Sequence, residues 1–447
     1  MNDTAIKHCS TLTFNENFDE KGMKFSMLKS ITLVSSKPML NTHRMILTKL
    51  FEIIVNYFRY KRTNPSNLFT FEGYKKYTLI SFYFSFFLNS LDLSSSYDSD
   101  STRSFYIVDS SDREDTEQVK FYIDNGALLP LYDFDMSILL ERFYIEDLIM
   151  IYQGILLEYK IILVFNNYEE INVIINSLLA LIYPFKWKYP INSYMLQETS
   201  VLLDAPFAIV IGVSKEHISY INFRLRKKQF TKETVIYDLT EKQFIFVGQS
   251  FQALPVKMVN DLRSALYFLK SEKLNMDVKS NISLNPNCDM IKTYNNNEGI
   301  CNVIDPSIYF NMKMISIFYS TTIRMIKNFD KFYKVSMTPR DKNEIKNQEI
   351  NELYDFDAFK ENFMNKTVSE DYYTFFSNFI KTLMFSNFLR SYLLKKETKS
   401  KYTEITHLIK ILKNNDEKIG KKIIKKLFMK AIKRKTIQYY KVSMQFI

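Results

Sequence analysis

The chain predicts an α/β fold, α+β overall, with two lobes: a smaller α/β lobe first, then a larger one whose mixed or parallel sheet ends in an all-helical region. Three observations carry this. Lys160–Phe165 (KIILVF) is a continuous apolar run of strand length, the pattern of a strand covered on both faces. Strand-like and helix-like segments alternate from Asp135 to Lys270, which builds a sheet with helical cover. Glycine is scarce, 8 residues in 447, which argues against hairpin-rich all-β folds and phosphate-cradling loops.

The elements follow in order. Lys7–Phe14 and Lys24–Val34 read as short strands. Asn41–Tyr60 reads as a helix, because Ile46, Leu47, Leu50, Ile53, Ile54 and Tyr57 keep the helical period behind Asn41 and Thr42 as caps. Thr78–Leu93 is the longest apolar run; it is short and interrupted by polar residues, so it reads as a buried strand or helix and not a membrane span, which needs ~20 apolar residues. Asp92–Val119 is rich in Ser and acids and reads as a flexible linker. Asp135–Leu157 is helical, Lys160–Phe165 a strand, and Tyr168–Tyr183 a helix with Glu169 and Glu170 in its first turn and Pro184 as its stop. Val201–Leu203, Phe207–Gly212, Thr234–Leu239 and Phe244–Val247 read as strands, Met258–Lys270 as a helix, Asn275–Gly299 as a loop, and Ser307–Tyr333 and Ser369–Lys395 as helices. The expected organisation is a first lobe over 1–91, a linker over 92–119, an α/β region over 120–270, an Asn-rich loop over 271–300, a helical region over 301–395 and a basic tail over 396–447.

Charge is unevenly spread. The formal net charge is +11, yet Lys401–Ile447 holds 12 Lys and 1 Arg against 3 acids, while Asp92–Val119 holds 8 acids against 2 Arg. A nucleic-acid binder carries its basic residues across the domain, so this asymmetry argues against nucleic acid and for a cationic tail with its own role. Cys9, Cys288 and Cys301 form no Cys-x-x-Cys pair, and His8, His43, His217 and His407 are scattered, so neither a disulfide framework nor a zinc site is expected. MNDTAIKHCS lacks the apolar core of a secretory leader. The expectation is a cytoplasmic protein with reduced thiols.

Motifs for side-chain chemistry are missing: no G-x-G-x-x-G, Walker A loop, H-E-x-x-H or G-x-S-x-G occurs. Ser214 and His217 lie close in sequence, but nothing specifies a third partner or an oxyanion hole, so they read as surface-loop residues. Asp109, Asp112 and Asp115 lack the Gly and terminal Glu of a calcium loop. No catalytic residue, cofactor or metal is expected, and a protein acting through a broad binding surface is favoured.

The stretch Leu181–Pro190, LIYPFKWKYP, holds the chain's one tryptophan. Pro184 and Pro190 stiffen it, and Lys186 and Lys188 alternate with Phe185, Trp187 and Tyr189, so one side is apolar and the other wet. Two roles fit: a rigid corner that fixes the sheet against its helix, or an exposed aromatic anchor for a partner.

The order Leu156-Leu157-Glu158-Tyr159-Lys160, the Tyr-Pro-Phe-x-Trp turn at Tyr183–Trp187, Asp204-Ala205-Pro206-Phe207 running to Gly212, and Tyr237-Asp238-Leu239 resembles the central part of a DENN domain. Tyr159 stands where that family usually has Arg. Lys29–Pro38 with the following helix is similar to the close of the family's longin-like upstream module, and Phe375–Arg390 to its downstream helices. The resemblance covers most of 7–395, with the upstream module shortened at its start. It implies a longin-like first lobe, exchange-factor activity toward a Rab-family small GTPase, and GTPase contacts at Trp187, Tyr189, Asp204 and Asp238. The alternative it leaves open is a DENN-fold scaffold or a subunit of a GTPase-regulatory complex.

The tail adds a second expectation. In Lys418–Ile437, apolar Ile419, Ile423, Leu427 and Phe428 share a helical face, and Lys421, Lys422, Lys425, Lys426, Lys433 and Arg434 line the rest. Such a basic amphipathic helix either seats on an anionic intracellular membrane, giving peripheral attachment, or packs on the lobe with its charges solvated.

Overall fold

The computed structural model describes residues 8–20, 23–35, most of 40–51, 102–108, 116–122, 132–249, 251–282, 291–293, 302–304, 306–326, 361–364 and 370–389. The apolar run 78–93 and the basic tail, with Lys421, Lys422, Lys425, Lys426, Phe428, Lys433 and Arg434, lie outside the described residues.

Both early strands are present and longer than expected. β1 (His8–Glu20) pairs antiparallel with β2 (Met23–Ser35), His8 opposite Ser35 and Glu20 opposite Met23. Side chains alternate along β1: Cys9, Thr11 and Thr13 are exposed, while Ser10, Leu12 and Phe14 face inward and are half-buried. That inner face meets the helical residues of 40–51, whose Ile46, Leu47 and Leu50 are buried at the expected period. The Phe14 ring lies 5.1 Å from Phe51, and Ser10 Oγ bonds His43 Nδ1 at 2.9 Å. Burial holds the His43 imidazole below its ordinary pKa, so this histidine is a core residue with a partner.

The acidic stretch read as a linker is not structureless. β3 (Thr102–Val108) pairs antiparallel with β4 (Thr116–Tyr122), Thr102 opposite Tyr122. Phe105, Tyr106, Ile107 and Val108 give one strand its β-favouring run, which the surrounding acids obscure in the composition.

The region around the five-stranded sheet begins with α1 (Ile138–Arg142) and α2 (Ile145–Leu156), one expected helix broken at Phe143, whose backbone is extended. β5 (Lys160–Phe165) follows, buried at all six positions, then α3 (Tyr168–Ala180), β6 (Ile191–Asn192), β7 (Val210–Ser214), α4 (Ile218–Arg226), β8 (Thr234–Asp238) and β9 (Gln243–Val247). The sheet order is β6-β7-β5-β8-β9, parallel except for β9. Asn167 caps α3 by accepting the Glu169 N–H at 2.9 Å, and Arg142 forks onto Glu170 with two bonds of 2.7 Å.

Val201–Leu203 is not a strand: it lies in a 3-10 helix, Gln197–Asp204. Leu203 is buried while Val201 is 70% exposed, and the Leu203 carbonyl accepts the Lys160 ammonium at 2.6 Å in place of a strand neighbour. Three apolar residues are too few to tell these apart by periodicity.

Helices complete this region: α5 (Val256–Ile282), α6 (Pro306–Met325) and α7 (Glu370–Phe379), with further helical residues at 383–389. α5 runs into the stretch read as an Asn-rich loop, which also contributes β10 (Ile291–Thr293) paired with β11 (Asn302–Ile304).

The sheet divides the core in two. Ile161, Leu163 and Phe165 face the larger core, shared with α1–α3 and α5–α7; Ile162 and Val164 face the smaller one, with Ile211, Ile221 and Ile236 under α4. Both faces are therefore covered, as the apolar run of β5 requires.

Gly212 in β7 tolerates no side chain. An added Cβ would run into the Ser193 carbonyl oxygen and the Ile171 side chain, where the Met195 N–H also bonds the Gly212 carbonyl at 2.8 Å. Gly212→Ala is expected to cost about 1–3 kcal/mol, the range for overpacking, read as a lower midpoint in urea unfolding.

Candidate functional site

The aromatic decapeptide is a corner. Phe185 and Trp187 are each 3% exposed and belong to the larger core. Phe185 meets Phe379 and Phe388 edge-on at 5.4 and 5.0 Å, so the corner carries the C-terminal helices. Trp187 packs edge-on against Tyr189 at 5.6 Å, and its indole N–H finds no hydrogen-bond partner among the described residues. The fold places Trp187 in the core of the corner, where its side chain stabilises the packing.

Tyr189 also looks inward. Its hydroxyl donates to Glu158 Oε2 at 3.0 Å, and its pKa is pushed up to about 12, chiefly by burial. Glu158 is the hub of this region. It has a positive φ of 56°, at the turn between α2 and β5. Its carboxylate accepts the backbone N–H groups of Leu383 (2.9 Å) and Met384 (2.6 Å), the first residues of the helical stretch 383–389. A carboxylate at a helix N-terminus satisfies orphan donors and suits the dipole. Glu158 thus ties the central sheet, the aromatic corner and the last described helix together across 226 residues of sequence.

Burial raises the Glu158 carboxyl pKa, and the bonds from Met384, Leu383 and Tyr189 pull it down less strongly. A carboxyl raised in the folded state holds its proton more readily folded than unfolded. Its contribution to stability is therefore full below the ordinary value of 4.5 and falls as pH rises toward the raised value. Glu158→Gln is expected to remove that slope from the pH–stability profile. It also leaves one backbone N–H facing an amide donor, a loss of about 1–3 kcal/mol in denaturant unfolding at neutral pH.

Asp204 sits near the same end of the sheet, at the amino ends of the strands. It is exposed and pairs with the buried Arg224 of α4, which also bonds the Tyr220 hydroxyl at 3.0 Å. Asp238 lies at the opposite end. It is 4% exposed, and its Oδ1 accepts the N–H groups of Thr240 (2.8 Å) and Glu241 (3.1 Å), closing the turn into β9. The four residues expected to touch a GTPase are thus not brought together: three cluster near the amino edge and one caps a turn at the carboxyl edge.

The carboxyl edge has features that sequence reading passed over. The strand order puts the switch between β5 and β8, since the chain leaves β5 toward β6 and leaves β8 toward β9. In open α/β sheets, ligands bind at this crest, and an aromatic cluster lies beside the switch, over the ends of β5 and β7. Here Tyr168 and Tyr194 are 46% and 37% exposed, and their rings stack edge-on with each other at 5.1 Å and with Phe165 at 5.4 and 6.1 Å. The Tyr168 hydroxyl reaches Ser214 Oγ at 3.4 Å. Ser214 is 2% exposed and caps the short helix Lys215–His217, so it is a buried cap and not the expected loop residue. Lys215 pairs with Glu241 at 2.5 Å, and Glu216 is exposed. Arg44 approaches Glu169 at 3.7 Å, and Asn41 donates to the Asp133 carbonyl at 2.5 Å, so the helical residues of 40–51 adjoin this crest. An exposed aromatic pair just beyond the strand ends, at the start of α3 and in the bend after β6, flanked by both signs of charge, suits a protein surface. The only signal in the sequence was position: a tyrosine just after a buried strand.

Among the described residues, no group of three or more His, Cys, Asp or Glu is placed to hold a metal ion, and no helix is long and apolar enough to cross a membrane.

Residues 26–242 match the family model of the DENN (AEX-3) domain. Over 133 residues the chain is 25% identical to DENN domain-containing protein 2D of Mus musculus, covering 30% of this chain and 27% of that protein. Over 130 residues it is 27% identical to MAP kinase-activating death domain protein of Caenorhabditis elegans, covering 28% of this chain and 9% of that protein. The match therefore spans less than a third of either relative.

Proposed function

We propose, on the match of residues 26–242 to the DENN (AEX-3) domain model, that the chain promotes GDP release from a Rab-family small GTPase in membrane trafficking. The family match is the observation that carries the reading. The lack of any motif for side-chain chemistry fits it, because exchange makes and breaks no covalent bond. The factor binds the nucleotide-free GTPase more tightly than the loaded one, and that differential affinity weakens nucleotide binding by the same factor. Remodelling the loops that hold the phosphates and Mg²⁺ is sufficient. The crest at Tyr168 and Tyr194, next to the helical residues of 40–51, is the surface proposed for the GTPase. Tyr189, Asp204 and Asp238 act behind such a surface, by holding the corner, α4 and the β8–β9 turn in place.

The protein is placed in the cytoplasm in this reading. The tail residues Lys421, Lys422, Lys425, Lys426, Phe428, Lys433 and Arg434 would hold it peripherally on an anionic membrane, each cation near the surface contributing ~1 kcal/mol. Liposome flotation with and without residues 418–447 tests this, and equal binding by both chains sinks it. The competing reading is a scaffold with the same domain. Substoichiometric protein accelerates nucleotide release if the chain is an exchange factor; a scaffold binds the GTPase and leaves the rate unchanged.

A further inference from the structure

We propose a second lipid-facing surface, on the region around the five-stranded sheet and separate from the tail: the face formed by the 3-10 helix Gln197–Asp204, Phe207 and the C-terminal half of α4 seats on an anionic bilayer. Three apolar side chains stand out here, Val201 (70% exposed), Phe223 (53%) and Phe207 (42%). They come from two segments that the Asp204–Arg224 ion pair locks together, with Arg224 also stacked over Tyr220 and Phe230, 5.6 Å from each ring centroid. The Lys160 ammonium holds the 3-10 helix from beneath, through the Leu203 carbonyl at 2.6 Å. The exposed apolar groups are therefore fixed on a braced platform.

Charge chooses the occupant. Arg226, Lys227 and Lys228 are exposed beside these side chains, and Lys227 lies 5.8 Å over the Phe223 ring. On the 3-10 helix, Asp204 is neutralised by Arg224, and Glu198 is the one other carboxylate in that segment. Glu216 lies at the other end of α4, toward the carboxyl edge, and Glu233 follows the basic run. Cations at a helix C-terminus complement its dipole, which accounts for the charges but not for a valine and two phenylalanines in water beside them. Exposed apolar side chains next to a run of cations are the chemistry of a headgroup interface, where rings enter the acyl boundary and cations meet anionic lipid.

The test is co-sedimentation with phosphatidylcholine vesicles and with vesicles carrying one-fifth phosphatidylserine. It is run on the full chain in which every Lys and Arg of residues 418–447 is changed to Gln, so that the tail carries no basic helix to supply the signal. This protein should bind only the anionic vesicles. Changing Arg226, Lys227 and Lys228 to Glu should weaken binding at least a hundredfold, at ~1 kcal/mol per cation removed. Changing Val201, Phe207 and Phe223 to Ser should weaken it tenfold or more with no change in net charge. Thermal melts identify any variant that fails to fold, and the single Phe223→Ser variant then takes its place. Lack of anionic-vesicle binding by the tail-neutralised chain overturns the proposal, as does binding unchanged by either set of substitutions or equal binding to neutral vesicles. A concentration-dependent dimer that the Ser variant dissolves, with lipid binding intact, also overturns it, by assigning the face to a second copy.

Discussion

Trp187→Ala is expected to cost about 3–5 kcal/mol of folding stability, the range for deleting a large buried ring. The side chain is 3% exposed, packs on Tyr189, and sits next to Phe185 in the corner that meets Phe379 and Phe388. A total stability of ordinary size, ~5–15 kcal/mol, leaves little after such a loss. Trp187→Phe is expected to cost much less, because the indole N–H has no partner to lose among the described residues. The measurement is urea unfolding followed by circular dichroism. In the unsubstituted chain the one tryptophan gives a matched fluorescence readout of the corner itself. An Ala variant as stable as the parent would return Trp187 to the surface and reopen its role as an anchor.

The second large effect concerns exchange. Replacing Tyr168 by Ala, with Tyr194→Ala, is expected to lower stimulated nucleotide release by on the order of a hundredfold, the effect of removing two aromatic contacts from the centre of an interface. Stability should change by under about 1 kcal/mol for two side chains this exposed, 46% and 37%. Glu216→Arg should act mainly on the association rate and should show it more at low salt, since rim charges steer encounter. Asp204→Asn is the contrasting control. It breaks an ion pair to the buried Arg224 and should lower stability, with exchange falling only as the folded fraction falls.

Much of the five-stranded sheet region was legible because its signals are local. KIILVF can only be a strand covered on both sides, and the structure buries all six residues. Tyr168–Ala180 announces itself by acids in its first turn and a proline after its end. Three residues from Val201 to Leu203 carry too little period to separate a strand from a 3-10 helix, and the deciding contact comes from Lys160, 43 positions away. Acid-rich composition hid the β3–β4 hairpin for a related reason: pairing depends on a partner strand, which composition does not report.

The site was less legible than the fold. Aromatic residues in a stiff turn fit a core corner and a partner anchor equally well, and only the arrival of Phe379 and Phe388 from far along the chain decides between them. Glu158 shows the same limit, since its role is set by two backbone N–H groups at 383 and 384. Binding surfaces made of ordinary residues leave no motif, whereas the resemblance to the DENN domain was carried by spacings within one contiguous stretch.

The most direct test of the account is release of a fluorescent guanine nucleotide from a panel of Rab GTPases, with this protein present in catalytic amounts. The account predicts acceleration for one or a few members, lost when Tyr168 and Tyr194 are both Ala. A folded protein that accelerates release from no member of a complete panel would contradict it and leave the scaffold reading in its place.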